Sequence, residues 1–336
     1  MADINIKAGT TMRAMAIDGF GGTEVLYLAD LPVPTPGAGE VLVKIFNAGV
    51  NPSDWKAREG KLAAFFDYQF PFVIGFDLGG VVEAVGPGVE RWKAGDRVFG
   101  MSNQKDGKDG TYAEYCIASE GLLAPLPTGW SYAEAAAIPV PGSTAYGSLV
   151  DAGELKPGQT VLINGGAGGV GSIGTQIARA FDARVAVTCI AADFDYVLGL
   201  GVERPIDYQN EDVVAAVREW APDGVDLVVD AVGLGTLTPK ALQIVKPGGS
   251  YVEIETLISR VDEAFVANAA AHGVRVVSSM IAIMRQPQHF AALAELCDQG
   301  KVRPPLVETM PLEHIGEAHR RLEAGTVRGK LVLDVQ

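Results

Sequence analysis

Cysteine and histidine are scarce in this chain: three Cys and four His occur in 336 residues, and none precedes residue 116. A catalytic zinc takes three protein ligands of Cys, His or carboxylate type, and a structural zinc takes four, mostly Cys. The first 115 residues offer carboxylates alone, a poor zinc set, so no metal is expected. His314 and His319 are five apart and do not share a helix face as an i, i+4 pair would; His272 and His289 stand alone. Cys116, Cys189 and Cys297 are widely spaced and form no CxxC pair, which excludes a disulfide framework and makes a reducing, cytoplasmic setting the expectation. Positive charge is also short. The 27 Lys+Arg against 41 Asp+Glu leave a net charge of −14, which repels nucleic acid and anionic membranes. No uncharged run approaches the ~20 residues that span a bilayer. Met1–Lys7 lacks the basic start and apolar run of a secretory signal. The 41 Gly and 19 Pro follow no Gly-X-Y period, so a collagen reading fails.

What is present reads as an ordinary globular protein, 48% hydrophobic and 20% charged. Its length exceeds what one core serves, so two domains are expected. Up to about residue 130 the pattern is short strands broken by turns. Met12–Ile17, Val41–Phe46, Gly79–Val85 and Arg97–Phe99 are β-rich, Glu24–Leu28 is a weaker strand, and Gly86-Pro-Gly88 and Lys93–Asp96 carry turn chemistry. That pattern predicts a closed or partly closed β-barrel. Near Ser131 the period changes. Tyr132–Ile138 and Ser143–Gly153 read as helices, and from Thr160 apolar strands alternate with helices to about Gln299. The alternation predicts a parallel sheet covered on both faces. Leu312–Leu322 reads as a further helix and Lys330–Val335 as a last strand, free to return to the first domain.

The stretch Thr160-Val-Leu-Ile-Asn-Gly-Gly-Ala-Gly-Gly-Val-Gly171 follows a strand and opens a helix. Gly166-x-Gly168-x-x-Gly171 in that context is a dinucleotide-binding fingerprint. Without side chains the loop turns tightly, its N–H groups approach a pyrophosphate, and the helix N-terminus adds positive potential. Gly166, Ala167, Gly168, Gly169, Val170 and Gly171 are the candidate contacts. The next strand ends Thr188-Cys189-Ile190-Ala191-Ala192, without the acid that holds a ribose 2′-hydroxyl in NAD sites. That tip leaves room for a 2′-phosphate and predicts NADP(H), although Lys and Arg are absent from 185 to 203. Asp193 and Asp195 read as first-turn residues of the following helix, where an Asp caps.

Four segments together resemble the medium-chain dehydrogenase/reductase superfamily, in its zinc-free quinone oxidoreductase-like branch. They are Asn51-Pro-Ser-Asp-Trp-Lys56, Gly75–Gly88 running on to Gly95–Gly100, Asn164–Gly171, and Arg328-Gly-Lys-Leu-Val-Leu-Asp334. Zinc-dependent members are similar but place a Cys near Asn51 and a Gly-His-Glu where Gly75-Phe76-Asp77 stands. The resemblance implies an α/β protein with a GroES-like barrel domain (1–132 with return segment 306–336) and a Rossmann domain (133–305), with the active site in the cleft. It implies hydride transfer from NADPH to quinones or α,β-unsaturated carbonyl compounds. It puts Thr144 near the nicotinamide, Tyr208 by the 2′-phosphate and Lys330 among the cofactor contacts. Asp193 falls where relatives carry Lys or Asn. A homodimer joined through the Rossmann domain is also implied, and Val274–Ser278 is an apolar strand suited to a sheet edge that would need covering.

Hydride addition to an enone builds charge on the carbonyl oxygen, and without zinc a protein group must stabilise it. Lys56 is the candidate acid, against the alternative of a solvated loop lysine. Asp54 is a candidate anchor for Lys56 or the ribose, and Asn51 a candidate hydrogen-bonder of substrate or cofactor. Trp55 reads as packing, and Phe65, Phe66, Tyr68 and Phe70 as an apolar lid or plain core. The expected partner is a small apolar quinone or enone. Two other readings stay open: a zinc-free alcohol dehydrogenase acting on a simple ketone, and a non-catalytic, crystallin-like NADPH-binding protein.

Overall fold

A computed structural model describes residues 9–65, 68–103, 110–233, 235–254, 262–278 and 286–336. The chain divides into two compact units, residues 1–140 with 304–336, and residues 141–303. The first boundary lies later than the 132/133 read from sequence. The helix after Ser131 belongs with the barrel, because Ala136 and Ala137 pack with Val332 and the Val140 N–H donates to Asp77 Oδ1 at 2.8 Å.

The first segment holds β1 (Thr11–Ile17), β2 (Tyr27–Pro32), β3 (Glu40–Gly49), α1 (Pro52–Arg58), β4 (Phe72–Val73), β5 (Asp77–Val85), β6 (Arg97–Met101), β7 (Tyr115–Ser119), β8 (Leu123–Pro125) and α2 (Tyr132–Ala136). β1 pairs antiparallel with β2 and β4. β3 pairs antiparallel with both β5 and β7, so it is buried along most of its length. The weak strand read at Glu24–Leu28 is a 3-10 turn, Thr23–Val25, followed by β2. α1 carries Lys56 on a helix rather than on a loop. It is a helix because extended Asn51 precedes Pro52, whose fixed φ suits a first helical position, and Asp54 Oδ2 accepts the Asn51 N–H at 2.6 Å.

The middle segment opens with α3 (Pro139–Tyr146), which runs into a π-helical turn at Gly147–Ala152. Then come β9 (Thr160–Asn164), α4 (Gly169–Ala180), β10 (Arg184–Cys189), α5 (Phe194–Gly199), β11 (Arg204–Asp207), α6 (Val213–Trp220), β12 (Val225–Asp230), α7 (Thr238–Ile244), β13 (Val245–Glu253), α8 (Glu263–Ala271), β14 (Arg275–Ser278) and α9 (Gln286–Asp298). The strands are all parallel, in the order β11-β10-β9-β12-β13-β14. That is the doubly wound 3-2-1-4-5-6 arrangement, whose ligands bind beyond the carboxyl ends of the strands. One face is sealed by Leu162, Ala186, Ile206, Val217, Val228 and Tyr251.

The chain then returns to the first unit with β15 (Val307–Pro311), α10 (Ile315–Glu323) and β16 (Lys330–Asp334). β16 pairs antiparallel with β3, giving the strand path β15-β16-β3-β5-β6-β8 among the described residues. No described helix is long and apolar enough to cross a membrane.

Candidate active site

In the first unit the C-terminal end of β3 delivers Asn51 to the start of α1, β5 opens with Asp77, and β16 opens with Lys330. Sequence separation hides this meeting. Lys330 Nζ donates to Asn51 Oδ1 at 2.6 Å and to the Val50 carbonyl at 2.7 Å, though Lys330 lies 279 positions from Asn51. The other end of the amide, Asn51 Nδ2, donates to Asp77 Oδ2 at 2.8 Å. Lys330 Nζ and Asp77 Oδ2 lie 3.8 Å apart as a buried ion pair. Asp54 Oδ2 accepts from Tyr112 Oη at 2.7 Å, and Asp54 Oδ1 is buried with no hydrogen-bond partner among the described residues.

Burial sets the protonation of this web. It raises the Asp54 carboxyl to about 7 against the pull of the Tyr112 and Asn51 hydrogen bonds. It raises Asp77 to about 6 against the attraction of Lys330. Burial lowers Lys330, although both carboxylates oppose the shift. Each of the two buried carboxyls therefore keeps its proton to a higher pH than a free carboxyl would. Beyond Tyr112 lies a second buried cation. Arg58 Nη1 donates to His319 Nδ1 at 3.1 Å, and burial followed by the Arg58 charge depresses His319 to about 3, so its ring is neutral.

The candidate residues are placed as follows. Lys56 is 5% exposed, on α1, with its ammonium 5.5 Å from the Trp55 ring centre. It is not a solvated loop lysine. Asp54 does not anchor it: residues two apart on a helix point to different sides, and Asp54 Oδ2 accepts from both the Asn51 N–H and Tyr112 Oη. Each end of the Asn51 amide is held by a protein partner. Lys330, read as a cofactor contact, directs its ammonium to Val50 and Asn51. Trp55 packs beneath Lys56 and Lys61. Phe20, Tyr68, Phe70 and Phe72 form an edge-to-face cluster, with Phe20, Phe65 and Phe70 exposed; Phe66 lies outside the described residues. Asp77 and Tyr112 were missed, because nothing local marks a residue whose role depends on distant partners.

In the second unit the glycine loop sits at the carboxyl end of β9. A Cβ on Gly171 would come 2.2 Å from the Gly165 carbonyl oxygen, so the protein itself requires glycine there. A Cβ on Gly168 would meet only that oxygen, at 3.5 Å. The protein has no steric need of glycine at 168; the open space suits a pyrophosphate approaching the N-terminus of α4. Side chains missed from sequence fix the loop: Thr188 Oγ1 accepts from the Gly165 N–H at 3.0 Å, and Asn164 Nδ2 donates to Asp230 Oδ1 at 2.8 Å. Thr144 is half-buried on α3. Tyr208 is 55% exposed, and its N–H donates to the carbonyl of Cys189 at the tip of β10. Asp193 stands at the start of α5 but makes no capping hydrogen bond to it.

A strand order of this kind with a glycine cradle at its switch point is the arrangement of dinucleotide-binding domains. Residues 37–128 match the Alcohol dehydrogenase GroES-like domain family, and residues 200–333 match the Zinc-binding dehydrogenase family. The chain is 34% identical to the 2-methylene-furan-3-one reductase of Solanum lycopersicum, over 98% of this chain and 80% of that protein. It is 31% identical to the quinone oxidoreductase of Homo sapiens, over 96% and 97% of the two chains. The structure of the quinone oxidoreductase from Coxiella burnetii is 30% identical and superposes with a TM-score of 0.82, covering 97% of this chain and 100% of that one. The chain belongs to the medium-chain dehydrogenase/reductase superfamily, in its zinc-free quinone oxidoreductase-like branch. Neither Asn51-Pro-Ser-Asp-Trp-Lys56 nor Gly75-Phe76-Asp77 contains Cys or His. Among the described residues no group of three or more His, Cys, Asp or Glu is placed to hold a metal.

Proposed function

We propose that this protein reduces quinones or α,β-unsaturated carbonyl compounds with a reduced nicotinamide nucleotide. The observation that carries this reading is the web at Asn51: where zinc-dependent relatives hold a metal, an amide is clamped between Asp77 and Lys330. When bound, the nucleotide supplies the hydride. Gly166, Ala167, Gly168, Gly169, Val170 and Gly171 would hold its pyrophosphate, and Thr144 would lie on its nicotinamide side. Addition at the enone β-carbon leaves negative charge on the carbonyl oxygen, and Lys56 donates a proton there, regained from solvent. The clamped Asn51 keeps the start of α1, and so Lys56, in place. The exposed rings Phe20, Phe65 and Phe70 suit an apolar, planar substrate. For the reductant, the end of β10 at Cys189, without an acid of its own, and Tyr208 beside it support NADPH. The buried thiols of Cys116, Cys189 and Cys297 support a reducing, cytoplasmic setting. The position of β14 at the end of the strand order among the described residues supports a homodimer joined there.

The test is nucleotide oxidation by chelator-dialysed wild type and Lys56→Met with a quinone, an enone and a saturated ketone. We expect wild type to reduce the first two, and Lys56→Met to lose about 10²–10⁴-fold on the enone with nucleotide affinity unchanged. Turnover of the saturated ketone alone would replace this reading with a ketone reductase. Nucleotide binding without any turnover would replace it with a non-catalytic protein.

A further inference from the structure

The carboxyl edge of the parallel sheet carries a row of hydrogen-bonded side chains that runs across four neighbouring strands. Thr188, Asn164 and Asp230 stand abreast at the ends of β10, β9 and β12. The Thr188 hydroxyl donates to Asn164 Oδ1, and Asn164 Nδ2 donates to Asp230 Oδ1 at 2.8 Å. From β13 the Tyr251 hydroxyl donates to the other oxygen, Asp230 Oδ2, at 2.7 Å. Asp230 Oδ1 also accepts the N–H groups of Val232 and Gly233, at 3.1 and 2.9 Å. Asp230, Asn164 and Thr188 are all buried. A buried carboxyl group is costly unless its oxygens are hydrogen-bonded, so these four donors are held in fixed directions.

β9 and β12 are the neighbours between which the strand order reverses, and the turns that follow them wall the crevice where such a sheet binds its ligand. Both walls are tied to the row. On the β9 side, Thr188 Oγ1 accepts the Gly165 N–H at 3.0 Å, which sets the start of the glycine loop. On the β12 side, Asp230 holds Val232 and Gly233, and Thr236 Oγ1 accepts from Asn164 Nδ2 at 3.2 Å. The walls also meet directly, since a Cβ on Gly165 would come 2.8 Å from Val232 Cγ2. We propose that Asp230 is a positioning residue for the nucleotide, joining the glycine loop and the turn after β12, through Asn164, into one preformed seat. Without the tie, binding must first order two separate turns, and affinity falls. Tyr251 acts at one remove, holding the Asp230 carboxylate from the next strand. The proposal rests on the glycine loop being a nicotinamide-nucleotide site.

A pair of variants at Thr188 tests the tie: Thr188→Val removes the hydroxyl and keeps the shape, whereas Thr188→Ser keeps the hydroxyl and loses the methyl. Fluorescence titration of NADH and NADPH against the apoprotein, without substrate, reads affinity, and melting curves read folding. We expect Thr188→Val to bind both nucleotides about tenfold more weakly at an unchanged ratio between them, and Thr188→Ser to bind as wild type does. In turnover with a quinone, the KM for nucleotide should rise in Thr188→Val while the KM for quinone stays put. Tyr251→Phe, which leaves Thr188 and Asn164 intact and frees one oxygen of Asp230, should weaken both nucleotides by about two- to tenfold. It carries the test alone if Thr188→Val does not fold. Wild-type affinity in folded Thr188→Val or folded Tyr251→Phe would overturn the proposal and leave the nucleotide site standing. An equal loss in Thr188→Ser would overturn it as well, because the methyl and not the hydroxyl would then matter. Failure of the wild type to bind either nucleotide would overturn the nucleotide site itself.

Discussion

Around Asn51 the chain gathers charged side chains and buries them; around Gly168 it strips side chains away. The first region is held by an amide between a carboxylate and an ammonium, with a second carboxylate against a tyrosine. The second is backbone, left open by glycine and fixed from below by Asn164, Thr188 and Asp230. A nucleotide pyrophosphate is a common ligand, and backbone N–H groups recognise it without any particular side chain. A proton-donating site that lacks a metal needs titratable groups in a fixed geometry, and those must come from wherever the chain supplies them. The loop itself is therefore tolerant of side-chain change outside its glycines, and the charged region is sensitive to each charge.

The largest expected effect comes from breaking the charged region. Lys330→Met removes the ammonium facing Asp77 and leaves two buried carboxyls without a countercharge. Breaking a buried pair this way costs about 3–5 kcal/mol. The loss should be full at pH 8 and smaller at pH 5, where Asp54 and Asp77 take up protons. Denaturant unfolding at both pH values measures it, and a loss below about 1 kcal/mol at pH 8 would show that the web does not hold this unit together.

The glycine region gives an intermediate effect and a sharper contrast. Gly171→Ala forces a methyl against the Gly165 carbonyl and should destabilise by about 1–3 kcal/mol. Gly168→Ala meets no such obstacle and should cost below about 1 kcal/mol, the difference between these residues at a helix N-cap. Its methyl occupies the space left for the pyrophosphate, so nucleotide affinity should fall at least ~10-fold. Melting curves and nucleotide titration together check the pair. Equal affinity in wild type and Gly168→Ala would place the pyrophosphate elsewhere.

The smallest effect is a slope. Asp54 is raised from 3.8 to about 7 and Asp77 to about 6, so between about pH 4 and 7 the folded state binds protons that the unfolded state releases. This contribution to stability is complete at acid pH and is lost as pH rises through that window. His319, lowered from 6.5 to about 3, acts in the opposite sense, because the unfolded chain takes up its proton as pH falls. Asp54→Asn keeps an acceptor for Tyr112 and Asn51 while removing one titration. Relative to wild type it should gain stability from pH 5 to pH 8, by less than about 1.4 kcal/mol per pH unit. Parallel stability curves for the two proteins would refute the raised Asp54.

How much of each region could be read from the sequence follows from how local its signals are. The glycine spacing, the strand before it and the helix after it lie within about twenty residues, so the loop and its sheet were readable. Asn51-Pro-Ser-Asp54 also carries a helix start, with Pro at the first helical position and an acid at the third, a local signal that the strand-and-turn reading of this region passes over. The short strands β4, β8 and β11 and the exposed β15 were missed because they owe their pairing to neighbours rather than to alternation.

By itself the sequence determined the doubly wound unit, the glycine cradle and the absence of Cys and His before residue 116, since each depends on residue type and short spacing. Only the tertiary structure decided that Lys56 is buried, that Lys330 holds Asn51, and that Asn51 in turn holds Asp77. Burial and charge depend on what the fold brings within a few ångströms. Residues 279 positions apart meet in one hydrogen bond only after the last strand has returned to the barrel.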